Sequence, residues 1–196
     1  MLHADIEFIV EKKGKILFHH RGPSHSFVRN WYNFIFCGSV GYQSSGSSYG
    51  EGYLTSKQQN NTVSYFTYNS DDRYFAPYGN IDYGILVGRG TTAESFESYS
   101  LANKITHGSG TNQLVYNAQS STTVSYTSSS KTWLATFQRV FNNNSSAAIL
   151  ITESGLACYC SGLNILISRD LLSSSVNVPV GAQLTVKYYI SMQFPA

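Results

Sequence analysis

Acidic side chains are the first groups in this sequence that could carry chemistry. Asp71, Asp72 and Asp82 lie in loop-like, Tyr-rich surroundings, a composition compatible with the paired carboxylates of a glycosidase or with a sugar-binding cleft. A catalytic pair is defined by its separation in space, which spacing along the chain does not give. We therefore interpret these residues as solvated loop charges, with cleavage of glycosides as the less favoured alternative.

The histidines and cysteines do not form a metal-binding pattern. Adjacent His19 and His20 would point to opposite faces of a strand, so they would not easily bind one ion. The three cysteines, Cys37, Cys158 and Cys160, lack the C-x-x-C pairs of a zinc site. We expect buried thiols, with a disulfide from Cys37 to Cys158 or Cys160 as the alternative, and we predict no metal and no cofactor.

The segment Gly88–Thr92 is glycine-rich and follows a predicted strand, as phosphate-binding loops do. The lysine that such a loop requires is missing, so we expect its glycines to allow a tight turn with positive φ. No G-x-S-x-G sequence is present, and Cys158-Tyr159-Cys160 lacks the basic neighbours that would activate a thiolate. The sequence predicts no catalytic residue and no enzyme.

The composition limits which partners this chain can have. Hydrophobic residues make up 42% and charged residues 12% of 196 residues, and the net charge is +2. This charge is too small for an electrostatic footprint on nucleic acid or on an anionic membrane. We expect no direct nucleic-acid binding and no membrane span, because no apolar run approaches the ~20 residues that a span needs. Met1–Ile16 carries Asp5, Glu7 and Glu11 before any apolar run of useful length, so we do not expect a signal peptide.

Apolar periodicity predicts mostly strands and one helix. Asp5–Val10 and Lys15–His19 flank a turn at residues 11–14 and predict an opening hairpin. Ser24–Cys37 has aromatic residues at spacings of three and four, which predicts a helix with Ser24 or Ser26 as N-cap and Gly38 as its stop. We expect its stripe of Phe27, Trp31, Phe34 and Ile35 to pack on the core.

Short apolar runs then recur at the spacing typical of β-sandwiches and barrels. In the last run, Leu184 to Met192 alternate with polar residues, so one face is buried. In Thr132–Phe141 the alternation changes phase near Arg139, which we place on the outer face beside a β-bulge. The predicted strands are Val63–Tyr68, Tyr83–Val87, Gln113–Asn117, Thr122–Thr127, Thr132–Phe141, Ala147–Thr152, Asn164–Ser168 and Leu184–Phe194.

We predict one domain over residues 1–196, an all-β antiparallel sandwich, jelly-roll-like, with one N-terminal helix packed on it. Residues 5–37 hold the N-terminal hairpin and this helix. Residues 38–52 are mostly Gly, Ser and Tyr without periodicity, which is typical of an exposed loop or a flexible arm that can lie on a neighbouring subunit. Asn60, Asn143 and Asn144 begin N-x-[ST] triplets and raise the possibility of a glycosylated surface.

An ordered series of motifs covers about Tyr83 to Ile190. It comprises a "V-G-x-G-T-T-A" turn, an "R-x-F-x-N" strand, an "E-x-G-L" turn and a terminal "L-T-V-x-Y-x-I" strand. The segments that carry it are Tyr83–Ala93, Ser98–Leu101, Ile105, Arg139–Asn143, Ala148–Leu156, Leu166–Asp170, Val176–Pro179, Gly181 and Leu184–Ile190. This order resembles virion structural proteins of tailed phages and related archaeal viruses.

The resemblance implies a β-sandwich or jelly-roll module in a tail, adaptor, nozzle or vertex of a virus particle. The motifs also have a physical reading, because Glu153–Leu156 and Val178–Gly181 fit turns with a left-handed glycine between hairpin strands. We expect the partners to be copies of the same chain and other virion proteins, and the location to be the virion surface, tail or vertex.

Tyrosine is the residue type best suited to contact a partner. Its ring gives a large contact area at low entropy cost, whereas charges are costly to bury. We therefore expect a non-enzymatic structural subunit that acts through assembly. The alternative is a module that binds a glycan or a host receptor by stacking Tyr and Trp on sugar rings beside Asp71, Asp72 and Asn80. The candidate contact residues are Tyr42, Tyr49, Tyr53, Tyr74 and Tyr78.

Overall fold

The computed structural model describes residues 2–24, 26–40, 55–59, 63–65, 74–160 and 162–195. Tyr42, Tyr49, Tyr53, Asp71 and Asp72 lie outside these residues, as does the predicted arm beyond residue 40. The elements are β1 (Leu2–Lys12), β2 (Lys15–Pro23), α1 (Arg29–Val40), β3 (Thr55–Lys57), β4 (Val63–Tyr65), β5 (Gly84–Gly88), β6 (Val115–Tyr116), β7 (Thr123–Thr127), β8 (Thr132–Asn142), β9 (Ile149–Cys160), β10 (Leu163–Val178) and β11 (Gln183–Gln193).

Within the described residues, two antiparallel sheets enclose the core. The large sheet has the order β2-β1-β11-β8-β6, and β7 also pairs with β8. The small sheet has the order β10-β9-β5, and β3 pairs with β4 separately. Side chains of both sheets share one core cluster, including Phe8 and Phe141 from the large sheet and Ile85 and Leu156 from the small one. The prediction of an antiparallel all-β sandwich with one helix is confirmed, and the jelly-roll-like connectivity stays a prediction.

Alternating apolar residues build the inner face of the large sheet. In β11, Leu184, Val186 and Tyr188 are buried while Thr185 and Lys187 are partly exposed, as the sequence predicts. Burial of such side chains contributes roughly 1.5–3 kcal/mol each, which fixes which face of a strand turns inward. All eight predicted strands overlap observed ones, although β9 and β10 are longer than predicted.

The opening hairpin is confirmed. β1 and β2 pair antiparallel, and the turn between them has Lys13 at φ 52° and Gly14 at φ 75°. Two successive residues with positive φ form the kind of turn that matches the twist of a tight hairpin.

The prediction of a phase change in β8 is wrong. β8 pairs with β11 in unbroken register from Thr132 to Asn142, with no bulge at Arg139. Phe137, Arg139 and Phe141 all point inward and are buried. Arg139 keeps the alternation because its guanidinium finds hydrogen-bond acceptors in the interior, which removes most of the cost of burying it.

The helix is displaced relative to the prediction. It begins at Arg29 and runs through Gly38 to Val40, so neither serine is an N-cap and Gly38 does not end it. Ser24 instead donates to Asp170 and Ser26 to Glu94, which uses both hydroxyls elsewhere. The expected packing is confirmed for Phe27, Trp31 and Phe34, which lie on Cys158, Cys160, Ile165 and Ile167 of the small sheet, whereas Ile35 is exposed.

The turn at Val178–Gly181 is present, with Gly181 at φ 70°. The strands on its two sides do not form the predicted hairpin, because β10 belongs to the small sheet and β11 to the large one. This turn therefore carries the chain from one layer of the sandwich to the other. Cys158 and Cys160 are both buried, as expected. The side chain of Cys37 lies outside the described residues, so its disulfide with either of them stays a prediction.

Candidate interaction surface

A buried ion pair crosses two strands of the small sheet. Glu153 of β9 and Arg169 of β10 are 0% and 3% exposed, and Arg169 Nε lies 2.9 Å from Glu153 Oε2. The carboxylate also accepts backbone N–H groups of Gly90, Ala102 and Asn103. A buried charge needs a partner and further hydrogen bonds, and both are supplied here.

The same pair anchors the long loop that follows β5. Arg169 also donates one hydrogen bond from Nη2 to the carbonyl of Thr92 and one from Nη1 to the carbonyl of Ala93. Together with the N–H groups that Glu153 accepts, these bonds fix residues 90–103 against the small sheet. The charged residues here have a structural role.

Two predictions about this region are wrong. Glu153–Leu156 is not a turn but the middle of the continuous strand β9, and Gly155 does not have positive φ. Gly88 and Gly90 do not have positive φ either. A Cβ at Gly88 or Gly90 would lie 2.4 Å from Glu153 Oε1, so these glycines allow the backbone to approach the buried carboxylate.

A second buried cation, Arg139, lies in the core, and within the described ranges no carboxylate pairs with it. Arg139 donates to the carbonyls of five residues, and its guanidinium lies 4.9 Å from the centre of the Tyr116 ring. Burial lowers the pKa of Arg139 to about 10, which leaves it charged at neutral pH. It therefore ties the segment before β5 and the segment after β6 to β8. The accepting residues are Pro77, Asn80, Tyr83, Ile85 and Asn117.

A charged network lies on the outer face of the large sheet. Glu7 of β1 accepts a hydrogen bond from the Tyr189 hydroxyl at 2.8 Å and contacts Lys187 at 3.0 Å and His19 at 2.8 Å. Burial raises the pKa of Glu7, but these bonds outweigh it and lower the pKa to about 2. The network joins β2, β1 and β11 on the side opposite the core.

The other predicted site residues within the described ranges are Tyr74, Tyr78 and Asp82. Tyr78 is exposed and stacks edge-on against His107, with ring centres 5.1 Å apart. Tyr74 is half-buried and packs on Phe137, with ring centres 5.2 Å apart. Asp82 is an exposed loop carboxylate 3.7 Å from Lys104 Nζ. Each of the three thus has a different neighbour, and the predicted role of Tyr74 and Tyr78 in contacts stays a prediction.

The predicted glycosylation triplets are also separated. Asn143 is fully buried and donates to the carbonyls of Ala147 and Val178, so it has a structural role at the end of β8. Asn144 beside it is exposed. Asn60 lies outside the described residues.

An apolar row crosses one end of the large sheet. Leu2 pairs with Met192, Met192 with Trp133, and Trp133 with Tyr126, so the four lie side by side on β1, β11, β8 and β7. We call these four residues the sheet-end row. They are 38%, 59%, 53% and 50% exposed in that order.

The sheet-end row lies on the core-facing side of the large sheet. Side chains alternate along a strand, so Trp133 shares its face with the buried Phe137 and Phe141. Met192 likewise shares its face with Tyr188, and Leu2 with Ile6. At the row itself, the described part of the chain leaves this inner face uncovered.

A hollow of about 490 Å³ lies at the row, lined also by Lys131 and residues 193–195. The rings of Tyr126 and Trp133 are 4.7 Å apart, and Lys131 Nζ lies 5.6 Å from the centre of the Phe194 ring. At roughly 150–250 Å² for a whole large side chain, the row together with Val124 and Phe194 exposes on the order of 600 Å². That area is at the upper limit of the apolar patches on ordinary monomers.

The sequence contained a signal for this surface. Trp133 and Met192 extend the apolar alternation of β8 and β11 to the strand ends, where a solvated sheet would carry polar residues. Pairing of those ends with Leu2 and Tyr126 depends on strand register, which the alternation does not give.

No family model, no curated protein and no solved structure matches this chain. Among the residues that the structure describes, no three or more His, Cys, Asp or Glu side chains are grouped so that they could hold a metal ion. No helix in the described ranges is long and apolar enough to cross a membrane.

Proposed function

We propose that this protein is a non-enzymatic structural subunit that acts by binding other subunits, and that the sheet-end row is its contact surface. The observation that carries this proposal is the exposure of the row on the core-facing side of the sheet. Apolar residues of a core face that remain in water favour association, because covering them with another surface lowers the free energy by roughly 25 cal/mol per Å². Trp, Tyr, Phe and Met are also the residues enriched where proteins meet.

The placement of the buried charges supports a structural role. Glu153, Arg169 and Arg139 each hold loop backbone against a sheet through charge-assisted hydrogen bonds. These bonds make the loops at residues 77–83 and 90–103 rigid parts of the sandwich. A module with fixed loops and an exposed apolar surface at one end is suited to be a subunit of a larger assembly, because that surface can bind a neighbouring subunit.

The motif series from Tyr83 to Ile190 supports a place in a virus particle. The proteins that it resembles are virion components, and this chain would by that resemblance belong to a tail, adaptor, nozzle or vertex. Its partners would be copies of itself and other virion proteins.

Sedimentation velocity over a range of concentrations tests the assembly role. We expect the wild-type chain to form species of defined mass above that of a monomer, and Trp133→Ser to shift the distribution toward the monomer. Phe75→Ser is the matched control, because Phe75 is 51% exposed but lies outside the row. A wild-type chain that stays monomeric at every concentration would overturn the proposal.

A glycan- or receptor-binding role is a second candidate, and one observation favours it. The exposed rings of Trp133 and Tyr126 line a hollow beside the polar groups of Lys131 and Gln193, an arrangement on which a sugar ring could stack. A glycan array separates the two functions. Specific binding that Trp133→Ala abolishes, in a chain that remains monomeric, would favour this role over assembly.

A further inference from the structure

We propose that β7 is the strand through which two copies of this chain join, by pairing antiparallel with β7 of the second copy. This inference rests on the proposed assembly function and names the partner and the geometry of the contact. The joined molecule would have one continuous large sheet running through both copies.

Among the residues that the structure describes, β7 is an edge strand without the usual protection. It pairs with β8 on one side, and no strand in the described part of the chain pairs with its other side. Its five residues, Thr123 to Thr127, are all exposed and include no charge and no proline. An edge of this kind presents unpaired N–H and C=O groups to any strand that approaches.

The opposite edge of the large sheet is protected. There β2 carries Lys15, Arg21 and Pro23 along nine residues. Charged side chains and proline on an edge strand oppose pairing with another chain. The contrast between the two edges assigns the pairing to β7.

One register pairs every residue of the strand. In this register Ser125 lies on the two-fold axis and pairs with Ser125 of the second copy. Val124 then pairs with Tyr126 of the second copy, and Thr123 with Thr127. Shifting the strands by two residues leaves only three pairs. Shifting them by one places the apolar face of one copy beside the polar face of the other, because side chains alternate along a strand.

This register also extends the sheet-end row. Tyr126 of one copy would lie beside Val124 of the other, a cross-strand pair of an aromatic and a β-branched residue. Val124 is opposite Ala135, and Ala135 is opposite Ile190, so the row continues into the second copy over its strands β7, β8 and β11. The uncovered inner faces of the two copies thereby form one surface.

Edge-to-edge pairing leaves the apolar faces of the two copies, on the order of 600 Å² each, exposed side by side, so the joined row remains available to a further subunit. Because β7 is uncharged, pairing it with its own copy brings no like charges together.

Charge substitutions at the paired threonines test the register. Thr123→Lys made together with Thr127→Lys would place two pairs of like charges opposite each other, and the same positions changed to Glu would do likewise. We expect either double variant to weaken association about tenfold and an equimolar mixture of the two to restore it, measured by sedimentation velocity. Ser128→Lys with Ser129→Lys, in the turn beyond the strand, is the control and should associate like the wild type.

Two results would overturn the inference and leave the proposed function standing. One is a wild-type oligomer whose mass is unchanged by the lysine pair. The other is a mixture of folded Lys and Glu variants, verified by circular dichroism, that stays dissociated. A monomeric wild type would instead overturn both the inference and the assembly role, and so would a monomer that binds a glycan at this end.

Discussion

Trp133 and Met192 face each other on neighbouring strands of the large sheet, on the side that carries the core, and both are more than half exposed. Farther along the same two strands, Phe141 and Leu184 are also opposite each other and are completely buried. The inner face thus runs from a closed core at one end to an open apolar surface at the other. This gradient is the physical basis for assigning the open end to subunit contacts.

Breaking the buried ion pair should be costly. Glu153→Gln leaves Arg169 charged in a dry environment without a carboxylate, and it replaces one of the two acceptor oxygens with an NH2 group, so one or two of the three backbone N–H groups lose their acceptor. We expect a loss of about 3–5 kcal/mol in the free energy of unfolding, measured by urea denaturation. Glu97→Gln makes the same chemical change in the exposed pair with Arg29 and should cost less than about 1 kcal/mol. Equal effects of the two substitutions would contradict the anchoring role of Glu153.

Arg139 should not be replaceable by lysine. The planar guanidinium donates hydrogen bonds to five carbonyls. An ammonium has only three donors and lacks the planar arrangement of the guanidinium. Arg139→Lys should lower the free energy of unfolding by about 2–3 kcal/mol, because at least two buried acceptors lose their partner. Arg89→Lys, at an exposed position, should change it by no more than about 0.5 kcal/mol. An Arg139→Lys chain as stable as the wild type would contradict this account of the core.

The Glu7 network should make stability depend on pH in the acid range. The pKa of Glu7 is about 2 in the folded chain and 4.5 for an unperturbed glutamate, so the unfolded chain takes up the proton first as pH falls. The stabilisation is complete above pH 4.5 and is lost as pH falls toward 2. Glu7→Gln should therefore cost about 1–2 kcal/mol at pH 7, a value reduced for solvent screening, and almost nothing at pH 2.

Urea unfolding of both chains at pH 7 and pH 2 measures this difference. Glu11→Gln removes another carboxylate from the same strand and controls for a general effect of charge. A cost of Glu7→Gln that is the same at both pH values would show that the network does not stabilise the fold through the ionised carboxylate.

The sequence predicted the strands better than it predicted the charged residues within them. Alternation along Leu184–Met192 identified a buried face, because hydrophobic burial depends on the residues of one strand alone. The place of Arg139 depended on carbonyls at residues 77–85 and 117, which are brought to it by the fold. Arg139 is in phase with Phe137 and Phe141, and this spacing was the available signal that it points inward. Its charge instead favours a place on the outer face.

The same limit applies to the small sheet. Glu153-Ser154-Gly155-Leu156 has the composition of a turn, yet it lies within a strand because Arg169 and three loop N–H groups satisfy the carboxylate. The local sequence around Gly90 predicts a turn glycine, whereas its role in the fold depends on a carboxylate 63 residues away. Contacts between distant parts of the chain decided these positions, whereas local patterns decided the strands and the hairpin.

Fluorescence of Trp133 tests most directly whether the open end of the sheet is buried by another subunit. The chain has two tryptophans, so Trp31→Phe leaves Trp133 as the only one, and circular dichroism verifies that the variant is folded. We predict that its emission maximum moves to shorter wavelength as concentration and sedimenting mass rise together, because the indole leaves water. A rise in mass with no change in the emission of Trp133 would contradict the assignment of the sheet-end row as the contact surface.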